Sequence, residues 1–105
     1  SATPEEREMS TVFRIRAARP MDFGAVERLL IAAGLPAADV AQQFDDSFAV
    51  AESESGDVIG AEGIETHGVY GLLRSAVVAE SWRGTGVGDA LTKNRLAWAT
   101  ARGLA

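Results

Sequence analysis

Hydrophobic residues along the chain recur with two different spacings, and each spacing predicts a different element. Residues 11–17 alternate between apolar and polar side chains, which is typical of a half-buried strand. Between residues 20 and 34 a series of apolar side chains recurs at every third or fourth position, which predicts a helix that begins at a proline and ends at a glycine. Residues 37–44 predict a second, short helix, because Val40 and Phe44 share one of its faces.

Three further strands and a last helix are predicted in the second half of the chain. Residues 47–52 and 58–65 alternate on either side of a glycine-containing turn, which predicts a hairpin. A second turn at 66–68 leads into the apolar run 69–79, which predicts a third strand. The final helix is predicted from residue 87, and its expected buried face contains Ala90, Leu91, Ala97, Trp98 and Ala101. The predicted order is β-α-α-β-β-β-α.

Composition narrows the class of protein. A chain of 105 residues with 47% hydrophobic content is large enough for one domain with its own core. No apolar run is long enough to span a bilayer, and residues 1–10 are polar, which predicts a disordered tail or a cloning remnant rather than a secretion signal. The absence of cysteine excludes disulfides and thiolate metal sites, and is consistent with a reducing cytoplasm.

The distribution of charge bears on the partners of the protein. A net charge of −5 argues against binding to nucleic acid or to an anionic membrane, because both need a basic surface. Residues 29–73 contain eight acidic residues and no lysine or arginine, whereas the last helix and its loop are basic. Two interpretations of the acidic stretch stay open, namely a solvated surface or part of a binding site.

The most informative segment is residues 83–88, which form a glycine-rich loop before the last predicted helix. The first turn of a helix has unpaired N–H groups, and glycine lets a phosphate approach them closely. A dinucleotide-binding fingerprint is excluded because Asp89 stands where that motif needs Gly or Ala. A P-loop is excluded because no Gly-Lys-Ser/Thr follows. The loop therefore predicts a pyrophosphate site, and a tight turn without a ligand is the alternative.

The pattern Arg83-x-x-Gly86-x-Gly88, together with the element order, resembles the GCN5-related N-acetyltransferase (GNAT) family. The resemblance implies an α/β fold with a mixed, mostly antiparallel sheet and flanking helices, and acetyl-CoA as co-substrate without a metal. The backbone of two valines would bind the pantetheine arm and stabilise the oxyanion. The implied cofactor-binding set comprises Val77, Val78, Arg83, Gly84, Thr85, Gly86, Val87 and Gly88.

Acyl transfer to an amine needs a base, and the implied candidates are Glu65 and Glu62, acting through water. Each is otherwise a solvated carboxylate, and His67 is expected to be a surface residue in a turn. Residues 70–75, with 34–36 and 63–65, resemble the arsenic-resistance N-acetyltransferase subgroup.

In that subgroup the acceptor is amino-acid-like, and Arg74 with Ser75 would bind its anionic end. Both side chains reach one ligand only if a bulge interrupts the strand. The alternative for Arg74 is an ion pair with Glu62 or Glu65.

The chain departs from the family at its end. The resemblance implies that residues 11–105 are the N-terminal part of one domain, without the usual closing strands and without the tyrosine that protonates the leaving thiolate. The predicted strand 69–79 would then have an exposed edge, which favours a homodimer. A non-catalytic module that binds coenzyme A or another protein is the competing functional interpretation.

Overall fold

The computed structural model describes residues 12–104, apart from the side chain of Gln43. The tail expected over residues 1–10, the start of the first strand at Thr11, and Ala105 lie outside these residues. The chain forms β1 (Phe13–Ala17), α1 (Phe23–Ala32), α2 (Val40–Gln43), β2 (Phe48–Ser53), β3 (Val58–His67), β4 (Tyr70–Val78) and α3 (Val87–Ala101). This order confirms the predicted β-α-α-β-β-β-α arrangement.

The four strands form one sheet in the order β1-β2-β3-β4, and every neighbouring pair is antiparallel. One face of the sheet packs against α1 and α2 through a cluster that includes Val26, Leu30 and Phe48. The other face packs against α3 through Val87 and Leu91. The result is a sheet between two helical layers. No helix within residues 12–104 has the length and apolarity needed to cross a bilayer.

The buried face of α3 differs from the predicted one. Ala97 and Ala101 are exposed, whereas Arg95 is only 3% exposed and Ala99 is buried. The Arg95 guanidinium can be buried because its Nη1 donates to the backbone oxygens of Asp46 at 3.2 Å and Ser47 at 2.9 Å. Burial lowers the pKa of Arg95.

Trp98 is not a core residue either. Its ring is partly exposed and lies 3.8 Å from the guanidinium carbon of Arg102, a cation–π contact.

Four charged side chains, which we call the Arg16 cluster, join β1 and β2 to the 3₁₀ turn Pro20–Asp22. They are Arg14, Arg16, Asp22 and Glu52. Arg16 donates to both oxygens of Asp22, at 2.8 and 2.9 Å, and to Glu52 at 2.9 Å. Arg14 donates to the other oxygen of Glu52 at 2.7 Å. Asp22 is only 6% exposed, and its hydrogen bonds from Arg16 lower its pKa despite that burial.

Candidate functional site

The loop between β4 and α3 is fixed at its start by Trp82. The Trp82 ring contacts Phe13 of β1 edge to face, with 6.3 Å between ring centroids. The hydroxyl and the N–H of Thr85 both donate to the Trp82 carbonyl oxygen. These contacts hold the loop against the sheet while its glycines face the start of the helix.

Gly84 and Gly86 have φ values of 80° and 92°, a left-handed backbone that side chains disfavour. Gly86 precedes α3, and its carbonyl oxygen accepts the first bond of the helix, from the Ala90 N–H at 3.0 Å. The N–H groups of residues 87–89 come before that bond and point out of the helix end. The helix dipole adds a partial positive charge there, so the loop is suited to bind a phosphate anion.

A cavity of about 330 Å³, which we call the loop cavity, lies beside this helix end. Its lining comprises Ala33, Leu35, Ala61, Glu62, Ala76, Val77, Val78, Arg83, Gly88 and Leu91. Gly88 belongs to the first turn of α3, and a Cβ atom there would meet Val78 only at ordinary van der Waals distance, 3.6 Å. The cavity therefore extends from β4 to the N-terminal end of α3.

A β-bulge interrupts β4 next to this cavity. Ala61 pairs with Val77 and Gly63 pairs with Arg74. One residue between the paired positions on β3 therefore lies opposite two residues on β4. Ser75 lies in the extra length and has a φ of 55°, a left-handed conformation that is costly for a residue other than glycine. The bulge redirects the strand so that Arg74 and Ser75, which strict alternation would separate, face the same space.

That space is a second cavity, the bulge cavity, of about 570 Å³. Its lining comprises Leu35, Pro36, Asp39, Gln42, Glu65, Arg74, Ser75 and Ala76. Leu35 and Ala76 also line the loop cavity, so the two cavities adjoin at these residues. A ligand that extends along the edge of β4 would reach a second ligand in the bulge cavity.

The ion pair in the bulge cavity is longer than those of the Arg16 cluster. Arg74 Nη1 lies 3.4 Å from Glu65 Oε2, and Arg74 Nε lies 3.5 Å from the Ser75 hydroxyl. The other oxygen of Glu65 lies 3.5 Å from Nε2 of His67, whose side chain is largely exposed, as expected. Arg74 therefore pairs with Glu65, one of the two partners that the sequence allowed, at a distance that leaves room for a competing anion.

Glu62 has a different environment. It is only 2% exposed and accepts a hydrogen bond of 2.7 Å from the Thr92 hydroxyl on α3. Burial raises the pKa of Glu62, and the hydrogen bond from Thr92 partly opposes this effect. The side chain lines the loop cavity, whereas Glu65 lines the bulge cavity.

The structure distributes the predicted site residues over three places. Val77, Val78, Arg83, Gly88 and Glu62 line the loop cavity, and Glu65, Arg74 and Ser75 line the bulge cavity. Gly84, Thr85 and Gly86 form the loop itself, and the side chain of Val87 is in the core.

Sequence reasoning missed the contribution of residues 35–42, of which Leu35, Pro36, Asp39 and Gln42 line the bulge cavity. Residues 34–36 were singled out only as part of a family resemblance, and no local pattern indicated that residues 37–42 lie beside β4. Within residues 12–104 no group of three or more His, Asp or Glu side chains is placed to hold a metal ion.

Solved structures share this fold. Rv2747 from Mycobacterium tuberculosis, in complex with CoA, has a TM-score of 0.77 and 23% identity over 87% of this chain and 60% of its own. Diaminobutyrate acetyltransferase EctA from Paenibacillus lautus, in complex with L-2,4-diaminobutyric acid and coenzyme A, has a TM-score of 0.70 and 22% identity over 83% and 58%. A GCN5-related N-acetyltransferase from Sphaerobacter thermophilus has a TM-score of 0.69 and 21% identity over 86% and 33%.

The described chain thus has the acyl-CoA N-acyltransferase fold of the GNAT enzymes, as the sequence predicted. It spans about 60% of the length of the first two of these structures and a third of the last. No family model matches the chain, and no curated protein is significantly similar to it.

Proposed function

We propose that this protein is an acetyl-CoA-dependent N-acetyltransferase that acts on a small amine or an amino-acid-like substrate. The observation that carries the proposal is the continuity of three features, namely the glycine loop at the start of α3, the loop cavity and the bulge cavity. The glycine loop would bind the phosphates of the cofactor, the loop cavity would hold its long arm, and the polar bulge cavity would bind a separate acceptor. The fold shared with CoA complexes supports this assignment.

In the proposed complex the pyrophosphate accepts hydrogen bonds from backbone N–H groups of the loop 84–88 other than that of Thr85, which already donates to Trp82, and Arg83 contributes positive charge beside them. The pantetheine arm lies along β4 as an added strand, bonded to the backbone of Val77 and Val78. Among the described residues β4 is an edge strand, so its outer side is available for such pairing. The acetyl group then reaches the boundary of the two cavities at Ala76.

The reaction transfers the acetyl group directly. The ammonium of the acceptor loses a proton to Glu65, directly or through water, and the free amine attacks the thioester carbonyl carbon. A backbone N–H of Val77 or Val78 stabilises the oxyanion. The C–N bond forms as the C–S bond breaks, the coenzyme A thiolate takes up a proton, and the amide product loses its second amine proton to solvent.

Glu65 is the preferred base because it lines the cavity in which the acceptor would bind. Glu62 is the second candidate because it lines the adjoining loop cavity and burial raises its pKa. The pH dependence of kcat/KM distinguishes them. Glu65→Gln should remove the acidic limb of the profile and lower kcat by about a hundredfold, whereas Glu62→Gln should keep that limb. The reverse result would assign the base to Glu62.

The proposed acceptor carries a carboxylate, which binds the Arg74 guanidinium and the Ser75 hydroxyl. EctA binds L-2,4-diaminobutyric acid, an amino acid, on the same fold, which supports this class of acceptor. We further propose that the protein belongs to the arsenic-resistance N-acetyltransferase subgroup, which residues 34–36, 63–65 and 70–75 resemble. Arg74→Ala should raise the KM of the acceptor while the KM of acetyl-CoA stays constant.

Calorimetric titration with coenzyme A tests the cofactor site. Gly88→Glu adds a negative charge and bulk beside the phosphates without requiring a left-handed backbone, so we expect binding to weaken at least a hundredfold. Gly24→Glu makes the same change at the second residue of α1 and should bind coenzyme A as the parent does. Equal affinities of the parent and Gly88→Glu would refute the site. Binding without thiol release in the presence of any amine would instead identify a non-catalytic coenzyme A module.

We also propose that the protein is a cytoplasmic homodimer. The exposed apolar side chains Tyr70 and Leu72 lie on the edge strand β4, and Leu96 is exposed on α3, so both regions offer surface for self-association. Sedimentation velocity over a range of concentrations tests this proposal, and a monomer at every concentration would contradict it.

A further inference from the structure

We propose that the acceptor of this enzyme is a diamino acid, whose carboxylate binds Arg74 and whose second ammonium group binds Asp39. This inference rests on the proposed function, because it assigns the bulge cavity to the acceptor. It adds a residue that determines specificity and a charge that the acceptor must carry.

The side chain of Asp39 is the first observation. Every other aspartate within residues 12–104 has a partner, such as Arg16 for Asp22, Arg102 for Asp46 and Lys93 for Asp89. Asp45 and Asp57 accept hydrogen bonds from Ser47 and Ser55 in the same way. Asp39 has no ion-pair or hydrogen-bond partner among the described residues and does not cap α2, although it directly precedes that helix. Its carboxylate lines the bulge cavity instead.

The second observation is the balance of charge in the bulge cavity. Its charged lining consists of two carboxylates, Asp39 and Glu65, and one guanidinium, Arg74. His67 contacts Glu65 at 3.5 Å and adds a positive charge only when it is protonated. The charged lining therefore has a net charge of −1 when His67 is neutral. A bound monoamino acid, which has no net charge, does not change this sum, and a dicarboxylic amino acid makes it more negative. A diamino acid, with a net charge of +1, neutralises it.

The positions of these groups fix the orientation of such a ligand. Arg74 and Ser75 lie together on the bulge of β4, next to Ala76, where the two cavities adjoin. A carboxylate bound there places the adjacent α-amino group near Glu65 and near the acetyl group. Asp39 belongs to the segment between α1 and α2 that lines the cavity, and its carboxylate binds the ammonium group at the end of the ligand side chain. Leu35 and Pro36 of the same segment offer apolar contacts to the methylene groups.

When the ligand carboxylate binds Arg74, it competes with Glu65 for the guanidinium. The existing contact of 3.4 Å is long for a charge-assisted hydrogen bond, so a ligand carboxylate can replace Glu65 at the guanidinium. Glu65 is then released toward the α-ammonium group, from which it takes the proton. Arg74 thus acts on substrate binding and on the base at the same time, and Asp39 acts on specificity alone.

Four ligands of similar length separate these contributions in titrations of the protein, with and without saturating coenzyme A. Ornithine has a carboxylate and a second ammonium group, norvaline lacks the second ammonium, 1,4-diaminobutane lacks the carboxylate, and glutamate replaces the ammonium by a carboxylate. We expect ornithine to bind about fivefold more tightly than norvaline or 1,4-diaminobutane, as one partly exposed ion pair allows, and glutamate to bind most weakly. Tighter binding of glutamate or norvaline than of ornithine, or no binding of any amino acid, would overturn the proposal.

The variant Asp39→Asn is nearly isosteric and removes only the charge. It should abolish the preference for ornithine over norvaline and leave the norvaline and coenzyme A affinities unchanged. Asp57→Asn, in the β2–β3 turn and away from the cavity, is the matched control and should keep the preference. A preference that survives in Asp39→Asn would overturn the role of Asp39. If the parent protein does not bind coenzyme A, the proposed function is refuted. The ligand preference measured without coenzyme A tests the bulge cavity independently of that result.

Discussion

Two arginines of this protein each pair with carboxylates, Arg16 at the β1 end of the sheet and Arg74 at the β4 end, and the two pairs differ in geometry. Arg16 makes three contacts of 2.8–2.9 Å to Asp22 and Glu52 at the β1 end of the sheet. Arg74, at the β4 end, makes a contact of 3.4 Å to Glu65 and faces a cavity of about 570 Å³. Both side chains have similar, low exposure, 17% and 20%.

The geometry of the partners explains the difference. Arg16 satisfies both oxygens of Asp22, whose burial makes an unpaired charge there costly. Arg74 lies beside the strained Ser75 on an interrupted strand, where the backbone is held in a conformation that packing alone does not favour. The short, buried contacts of Arg16 join β1 and β2 to the turn 20–22, whereas the longer Arg74–Glu65 contact lies beside the cavity that we propose for the acceptor.

The largest effect expected from this comparison is on stability. Arg16→Ala leaves the buried Asp22 carboxylate with no ion-pair partner and only the Arg19 N–H as a donor, and should lower the free energy of unfolding by about 3 kcal/mol. Arg74→Ala should lower it by less than about 1 kcal/mol, because Glu65 is partly exposed and can be solvated. Urea denaturation of both variants measures the difference. Equal losses would show that the two pairs are equivalent.

The two regions should also respond to acid differently. The pKa of Asp22 is lowered in the folded protein, so its stabilising contribution is present above the unfolded pKa of about 4 and is lost as the pH falls further. The parent should therefore lose more stability below pH 4 than Arg16→Ala does, and Arg74→Ala should follow the parent. Thermal unfolding at a series of pH values would contradict the account if Arg16→Ala retained the full acid dependence.

Glu62 gives the opposite pH dependence and a smaller effect. Its pKa is raised by burial, so its protonated form suits the fold, and stability is lost as the pH rises from the unfolded pKa of about 4.3 through the folded pKa. Glu62→Gln keeps an oxygen that can accept the hydrogen bond from Thr92 and should be more stable than the parent by about 1 kcal/mol at pH 8. Stability curves that stay parallel from pH 4 to 8 would refute this role of burial.

Local patterns were enough to predict the elements and their order. Alternation identified β1, β2 and β3, and an apolar run identified β4. Pro20 and Gly34 marked the region of α1, although residues 20–22 form a 3₁₀ turn and the helix itself begins at Phe23. The face of α3 was predicted wrongly because the partners of Arg95 are the backbone oxygens of Asp46 and Ser47, which no local pattern reveals. An arginine in a helix is ordinarily solvated, and only the tertiary fold shows that this one is buried.

The candidate site divides in the same way. The glycine loop is a continuous segment, so residues 83–88 alone were enough to predict an anion site there, which stays a prediction. The need for a bulge between Arg74 and Ser75 could be stated in advance, but its presence depends on the register of β3 against β4. Asp39 could not be identified, since it reaches the bulge cavity only because the segment after α1 folds back over the sheet.

A residue-resolved titration tests the central claim most directly. In ¹⁵N–¹H spectra of the parent, coenzyme A should shift the amide resonances of residues 84–89 and of Val77 and Val78 most strongly. The amides of the Arg16 cluster should not move. Saturable shifts confined to the glycine loop and the edge of β4 are the predicted result. Shifts centred on the Arg16 cluster, or no shifts at millimolar coenzyme A, would contradict the assignment of the two regions.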